Sequence, residues 1–438
     1  MSLKRRVFAA GGWVLFGFIA MQVLRVGSNL ILTRLLFPEA FGLMVVVFSV
    51  NTGVNLLSDL GISSGIVVHS AGSDERYLNT AWTIQILRGM AIGAIMFLAA
   101  EPLALLFSNI QLTPLLRIVS LVPVIAGFTT TSVALADRQL DPRRRVSIDL
   151  GMQIFSAVVT SVLAWVLHST VALAWGSVIS TVFTVVVQRI VLKGPKNRLH
   201  WDRSQVREII SFGQITFLSS ALLFASAEGS RLFSATMVDS RILGLIGLAS
   251  GLSIMPWQAI QTLSQRVLMP AYAEVVRSGD AQRLRRAVLK ARIMQIVPCW
   301  IINVTMIAFG NQIFHIMYDS RYAQSASILK IQCVGMLAAI LTFSYNGLLL
   351  GMRRLGLSLA LQLVQSIILW SGMFCGFRLG GAMGLVVGTA LASWIYYPFA
   401  FVVYRRLGLT NGWFDSIVLA GSAVVGFLLW HNYVGIVA

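Results

Sequence analysis

Charge is what this sequence has least of. Of its 438 residues 11% are charged, less than half the roughly 25% of an ordinary soluble protein, while 57% are hydrophobic and the mean hydropathy is +0.80. A soluble globular chain is excluded, and a polytopic membrane protein is implied. Acidic residues are scarcer than basic ones, 16 against 34, for a net charge of +18. Such an excess suits nucleic acid when it forms one solvated face. Here the basic residues lie in short clusters between apolar stretches, as cytoplasmic membrane loops do, so no nucleic-acid partner is expected. Cysteine is rare too: Cys299, Cys333 and Cys375 each sit in an apolar run, without the close spacing of a thiolate metal site or redox pair. No loop carries paired carboxylates, a metal-ligand set or a nucleotide motif, so neither enzymatic activity nor a resident cofactor or metal is expected.

What is present is a series of long apolar runs. A crossing helix needs about 20 mostly apolar residues, because the hydrocarbon core is about 30 Å thick and each residue rises 1.5 Å. Thirteen spans satisfy this, near 7–32, 40–63, 80–107, 115–136, 147–167, 170–191, 209–236, 242–266, 291–316, 325–350, 357–377, 381–403 and 415–435. Residues 150–188 contain no Asp, Glu, Lys or Arg, too long a stretch for one helix, so His168-Ser169-Thr170 divides two spans. The start, Lys4-Arg5-Arg6 followed by an apolar run from Val7 to Leu24, exceeds a signal-peptide core and ends at Arg25 instead of a small-residue cleavage site. It reads as a retained first span with a cytoplasmic amino terminus.

With that orientation, 25 of the 34 basic residues fall in cytoplasmic connections and the span ends beside them, including Arg138, Arg143-Arg144-Arg145, Arg189 to Arg207, Arg266 to Arg292, Arg353-Arg354 and Arg405-Arg406. Arg34, Arg241, Arg321 and Arg378 are external, and Arg25, Arg88, Arg117, Arg231 and Lys330 lie within spans. A missed span would exchange the sides of every later loop and spoil the asymmetry. The thirteenth span rests on hydropathy alone.

Two stretches repeat. Arg25 to Leu43 resembles Arg231 to Leu248, with Arg25 meeting Arg231 and Ser28 meeting Ser234, and Val133 to Arg138 resembles Leu348 to Arg353. Span one therefore corresponds to span seven and span four to span ten. Six helices separate them, so the halves share an orientation and are expected to be related by a pseudo-twofold axis along the membrane normal, with a site at their interface. The expected organisation is a six-helix lobe over 1–192, a basic cytoplasmic linker over 193–208, a second six-helix lobe over 209–405, and an additional helix and tail over 406–438.

The run Asn29-Leu30-Ile31-Leu32-Thr33-Arg34-Leu35-Leu36-Phe37-Pro38-Glu39-Ala40-Phe41-Gly42, the later Asp59-Leu60-Gly61-Ile62-Ser63-Ser64, and Arg138-Gln139-Leu140-Asp141 before a basic run resemble the polysaccharide transporter branch of the multidrug/oligosaccharidyl-lipid/polysaccharide flippase superfamily. The likeness continues through Asp239 to Leu248, Arg266 to Pro270 and Ile316 to Leu329, nearly the whole chain. The resemblance implies an all-α membrane protein of two six-helix bundles in a V, here with one further carboxy-terminal helix. It also implies translocation of an undecaprenyl-diphosphate-linked oligosaccharide, from the cytoplasmic to the periplasmic leaflet of a bacterial inner membrane. Two departures are Asp141-Pro142, where relatives continue with basic or aromatic residues, and a short tail after span twelve.

Charged groups inside spans cost about 2.5 to 3.5 kcal/mol each at the membrane centre, so they mark the first places to look. Arg25, with Gln22 and Asn29, forms an i, i+3, i+7 stripe near the external end of span one, either a cavity-facing cation for a diphosphate or an arginine that snorkels outward. Glu228 and Arg231 share a face of span seven. They form either a local ion pair or half of a two-lobed clamp with Arg25, in which Glu228, like Asp59, is a candidate for proton or sodium coupling. Asn51, Asn55 and Asp59 make a stripe on span two, and Ser250, Trp257, Gln261 and Ser264 a looser one on span eight; such stripes line a sugar-binding cavity or hydrogen-bond neighbouring helices. Arg88, two turns inside the cytoplasmic end of span three, either receives the diphosphate on entry or snorkels. Arg117 and Lys330 read as interfacial anchors.

The substrate reading is a lipid-linked oligosaccharide moved by alternating access, for O-antigen, capsule or exopolysaccharide. Its partners are membrane lipids and, as a further candidate, polysaccharide polymerase machinery. The alternatives are a small-molecule or cation antiporter, which should place uncompensated carboxylates in its cavity, and a membrane-bound polymerase or glycosyltransferase, which needs a larger external segment. The topology is directly testable. Cysteines introduced at Arg143, Lys196 and Arg354 should be shielded in intact cells from an impermeant thiol reagent, while cysteines at Ser108 and Ser320 are labelled; the reverse pattern refutes the orientation.

Overall fold

In hydrocarbon a backbone amide finds no water, so every spanning segment must satisfy its own N–H and C=O groups, and helices result. The computed structural model describes residues 3–62, 66, 74–139, 142–192, 194, 197–277, 281–345, 349, 354–408, 410 and 412–437, and the elements among them are helical. In chain order they are α1 (Leu3–Leu35), α2 (Pro38–Leu57), α3 (Glu75–Leu106), α4 (Leu112–Val119), α5 (Leu121–Ala126), α6 (Ser132–Gln139), α7 (Pro142–Leu167) and α8 (Val171–Val191). There follow α9 (Arg203–Leu223), a π-helical turn (Phe224–Glu228), α10 (Gly229–Ala235), α11 (Ser240–Arg277), α12 (Ala281–Met317), a 3-10 turn (Ser320–Tyr322), α13 (Gln324–Phe343), α14 (Leu355–Arg406) and α15 (Gly412–Val437).

Among the described residues each of the thirteen expected span positions is mostly helical. Among the described residues nine helices are long and apolar enough to cross a membrane, and two shorter apolar stretches are Leu112–Ala126 and Gly412–Phe427. That count covers the described side chains alone, and several of the expected spans are also irregular. The expected fourth span is divided at Ser120 and again between Ala126 and Ser132, giving α4, α5 and α6. The expected seventh is interrupted by the π turn. The expected eleventh and twelfth run together as α14, inside which Gly380 (φ −146°, ψ 24°) and Gly381 (φ 57°, ψ −142°) leave helical geometry. The positive φ at Gly381 is one that a side chain disfavours.

Local signals set several helix starts. Pro38 occupies the first turn of α2, where its missing N–H costs nothing. Asp74 caps α3 by accepting the Arg76 amide, and Asp202 caps α9 by accepting the Ser204 amide at 2.9 Å and its hydroxyl at 2.7 Å. These two bonds to Ser204 hold the Asp202 carboxyl below the usual carboxylate range.

The chain forms two compact units, Ala20–Gly244 and Met1–Ile19 with Leu245–Ala438. The unit Ala20–Gly244 takes in the π turn and α10, which pack against α2. The first unit has a core built from Val46, Val47 and Val50 of α2, Ile92, Met96 and Ala100 of α3, Leu112, Leu115 and Leu116 of α4, and Ala172 to Ala174 of α8. The second holds Trp257, Ile296, Cys299, Ile340, Leu341 and Tyr397 in one cluster. Large apolar side chains also cover the outside: Ile154, Val158, Val162 and Trp165 form an exposed stripe along α7, as expected where the solvent is lipid.

Within α14 a side chain on Gly376 would strike the backbone of Gly384, and one on Gly388 that of Gly372, so two helical arms lie backbone to backbone across the Gly380–Gly381 break. Gly376→Leu is therefore expected to reduce the yield of monodisperse protein in detergent severalfold. Gly356→Ala, at an open position, should leave it unchanged. Equal yields of the two variants would refute the close approach.

Candidate functional site

The first unit contains a cavity of about 320 Å³ lined by Asn55, Asp59, Gln85, Arg88, Gly89 and Thr129, among others. It forms where α2 ends. The Asp59 carboxylate accepts the Gly61 amide at 2.9 Å, closing a turn in which Gly61 has φ 61°. Arg88 reaches across from α3: its Nη2 donates to the Asn55 carbonyl at 2.6 Å and its Nε to the Ser58 hydroxyl at 3.2 Å. A guanidinium at the carboxy-terminal end of a helix meets orphan carbonyls and the negative end of the dipole. Among the described residues Arg88 has no carboxylate within ion-pair distance; Asp59 lines the same cavity and acts on it through space.

The opposite wall exists because α3 carries Gly89 and Gly93, where any side chain would collide with backbone of the Ser120–Gly127 region. Where the broken span leaves carbonyls without helical partners, Gln85 Nε2 donates toward Gly127 O at 3.2 Å and Thr129 O at 3.1 Å. Charge, amides and open carbonyls thus line one space, a surface able to bind a polar or anionic group.

The structure brings Asn55, Asp59 and Arg88 together, and Asn51 lies one turn behind, its carbonyl accepting Asn55 Nδ2 at 2.8 Å. The other expected residues lie elsewhere. Gln22 is buried and Asn29 half-buried, whereas Arg25 is exposed and makes no ion pair among the described residues. Arg231 Nη1 meets both Glu228 carboxylate oxygens, at 3.1 and 3.2 Å. The Glu228 side chain is 10% exposed and that of Arg231 56%. Glu228 closes the π turn, a rare geometry that often marks functional positions. Arg25 and Arg231 both belong to the compact unit Ala20–Gly244.

The span-eight stripe divides. Ser250 accepts Gln332 Nε2 at 2.7 Å and Trp257 packs on Phe343 with ring centroids 5.4 Å apart, so both are engaged in packing; Gln261 is exposed. The side chains of Ser264, Arg138, Arg143, Arg144 and Arg145, and residues Ser63, Ser64, Asp141, Lys193, Lys196 and Arg353, lie outside the described ones. Arg117 pairs with Glu101 at an exposed position, beside Phe97, consistent with an anchor.

The second unit contains a buried ion pair that was not expected from the sequence. Arg292, counted among the loop signals, is 0% exposed, and its Nη1 lies 2.8 Å from Oδ1 of Asp415, 1% exposed, at the start of α15. Arg292 Nε donates to Ser344 Oγ at 2.9 Å, its guanidinium lies 3.9 Å from the centre of the Tyr345 ring, and the Tyr397 hydroxyl donates to Asp415 Oδ2 at 3.2 Å. The only sequence signal was an acid at the head of an otherwise uncharged apolar run.

The family model for polysaccharide biosynthesis protein matches residues 31–327. The chain belongs to this family. It is similar to the lipopolysaccharide biosynthesis protein WzxC of Escherichia coli K12, 22% identical over 399 residues, covering 90% of this chain and 80% of that protein. Its fold resembles an inward-facing multidrug resistance MATE family transporter of the MOP superfamily, with a TM-score of 0.71, 14% identity and 89% and 96% of the two chains covered. It also resembles the lipid II flippase MurJ in an inward closed conformation, with a TM-score of 0.70, 12% identity and 97% and 99% covered. The described residues thus share the expected all-helical fold with these solved transporters.

Removing one partner of a buried pair strands a charge, at a cost of about 3 to 5 kcal/mol, whereas replacing both by apolar groups is often neutral. Asp415→Asn should thus lower the thermal unfolding temperature in detergent clearly, and Arg292→Met with Asp415→Leu should recover most of the loss. A single variant as stable as the unmodified protein would show that the pair holds nothing.

Proposed function

We propose that this family member is a flippase for a lipid-linked oligosaccharide, with undecaprenyl diphosphate as the carrier, in a bacterial inner membrane with the amino terminus in the cytoplasm. The family match, the likeness to WzxC and the fold shared with a lipid II flippase support this reading. The observation that carries it at the level of chemistry is the polar cavity holding Arg88 with no ion-pair partner among the described residues.

A sugar chain on a diphosphate crosses hydrocarbon only if its charge and hydroxyls are met along the way, since unpaired ionised groups cost tens of kcal/mol by Born estimates. In the proposed mechanism Arg88 takes the diphosphate, and Asn55 and Gln85 offer amides to sugar hydroxyls. Arg25, exposed and without an ion pair among the described residues, provides the next cation, and the lipid tail stays in the bilayer. Alternating access moves the head group, with Glu228 and Asp59 as coupling carboxylates for protons or sodium. Glu228 is matched by Arg231, which sets this chain apart from an exporter of organic cations relying on uncompensated acids.

Arg88→Ala and Arg25→Ala are expected to reduce surface polysaccharide about ten- to a hundredfold, the worth of one charge-assisted hydrogen bond. Lipid-linked oligosaccharide should accumulate on the cytoplasmic leaflet at normal protein abundance. Arg88→Lys should retain partial export if positive potential suffices. Unimpaired export by the double Arg25→Ala, Arg88→Ala variant refutes the cationic route.

A further inference from the structure

The connection between α8 and α9 is basic, as expected of a cytoplasmic loop, but its described residues are tied down. Asn197 forms side-chain hydrogen bonds with Thr130 Oγ1 at 2.8 Å and Thr131 Oγ1 at 2.7 Å; its Oδ1 also accepts the Thr131 amide at 3.3 Å. The Arg198 amide donates to Asn79 Oδ1 at 2.9 Å and the His200 amide to Thr83 Oγ1 at 3.0 Å, both on α3. Asp202 then caps α9. The backbone from 197 to 202 is a strap pinned across the ends of α3 and α6.

Pinning the backbone inward turns side chains outward. Leu199 is 72% and Trp201 53% exposed, an apolar pair without a protein core to enter. Around them Arg198, Arg203 and Arg207 are exposed, and none of their guanidinium groups has a hydrogen bond or carboxylate partner among the described residues. Arg203 and Arg207, one helical turn apart, share a face at the start of α9. The strap begins six residues after Val191, where α8, a helix long and apolar enough to cross a membrane, ends, and it runs straight into α9 at Arg203, so it lies within a short stretch of chain from the end of a candidate span.

We propose that this strap is a binding site for the head groups of anionic phospholipids: Leu199 and Trp201 enter the interfacial layer, and Arg198, Arg203 and Arg207 take the phosphates. Tryptophan belongs at that depth because one end of its ring system is apolar and the other carries an N–H. Unpaired guanidinium groups match phosphate oxygens in geometry and charge, and their number sets the preference for anionic over zwitterionic lipid. The site has a bearing on transport: Thr130 and Thr131, which hold Asn197, directly follow Thr129 in the cavity wall. A lipid that secures the strap therefore steadies one side of the cavity that Arg88 lines.

The test uses the full-length protein in vesicles, with Cys375→Ser removing the exposed thiol and a fluorophore attached to Leu199→Cys. Brominated phosphatidylglycerol or brominated phosphatidylcholine is added at equal mole fraction. The anionic lipid is expected to quench about threefold or more better than the zwitterionic one. The preference should vanish in Arg198→Gln, Arg203→Gln, Arg207→Gln protein, and in the otherwise unaltered labelled protein at 1 M salt, which requires no further variant to fold. Equal quenching by both lipids, independent of salt, overturns the proposal. So does strong quenching by aqueous iodide with none by lipid, or shielding that appears only when soluble protein is added. Unimpaired polysaccharide export by the Arg25→Ala, Arg88→Ala protein, with the lipid preference intact, would count against the flippase reading and not against this site.

Discussion

Hydrocarbon offers no partner to a charge, and the polar architecture of this protein follows from that one fact. Arg292 is enclosed completely, and it is met by a carboxylate, a hydroxyl and an aromatic face at once. Arg231 has Glu228, Arg117 has Glu101, and Arg88 has the carbonyl end of a helix. The last case differs in kind, since helix carbonyls hold a cation in place without cancelling its net charge.

The two units use polar groups for different ends. In Met1–Ile19 with Leu245–Ala438, the Arg292 cluster joins α12, the end of α13, α14 and α15 in a sealed knot. There the polar atoms specify which helix faces which. In Ala20–Gly244, the break in the expected fourth span exposes carbonyls that Gln85 collects, and Gly89 and Gly93 let the broken segment approach. Irregular backbone at membrane depth is tolerated where it borders a polar space, and the cavity beside Thr129 is such a space.

Hydropathy placed the helices well because a spanning helix is long, local and uniform in composition. The hairpin of α14 illustrates this: spans expected over 357–377 and 381–403 meet at Gly380–Gly381. The asparagine stripe on α2 and Arg88 on α3 were also visible, and the cavity unites Asn55, Asp59 and Arg88. What escaped was whatever depends on distant partners. Arg292 looks like one more basic residue at the edge of a cytoplasmic cluster, and only Asp415, brought in by the last helix, explains its burial. Ser250 and Trp257 have the spacing of a cavity face but turn out to serve Gln332 and Phe343. The π turn ending at Glu228 has no compositional mark at all.

The reversal at Gly380 and Gly381 carries a consequence for biosynthesis. Its two arms meet along glycines with almost no chain between them, so neither can be threaded into the bilayer and wait for the other as an independent stretch. Such a pair is suited to enter the bilayer together as one hairpin. The orientation of that hairpin is then settled by the residues on its two open ends, with Arg354 before it and Arg405 and Arg406 after it acting together as a single pair of reins.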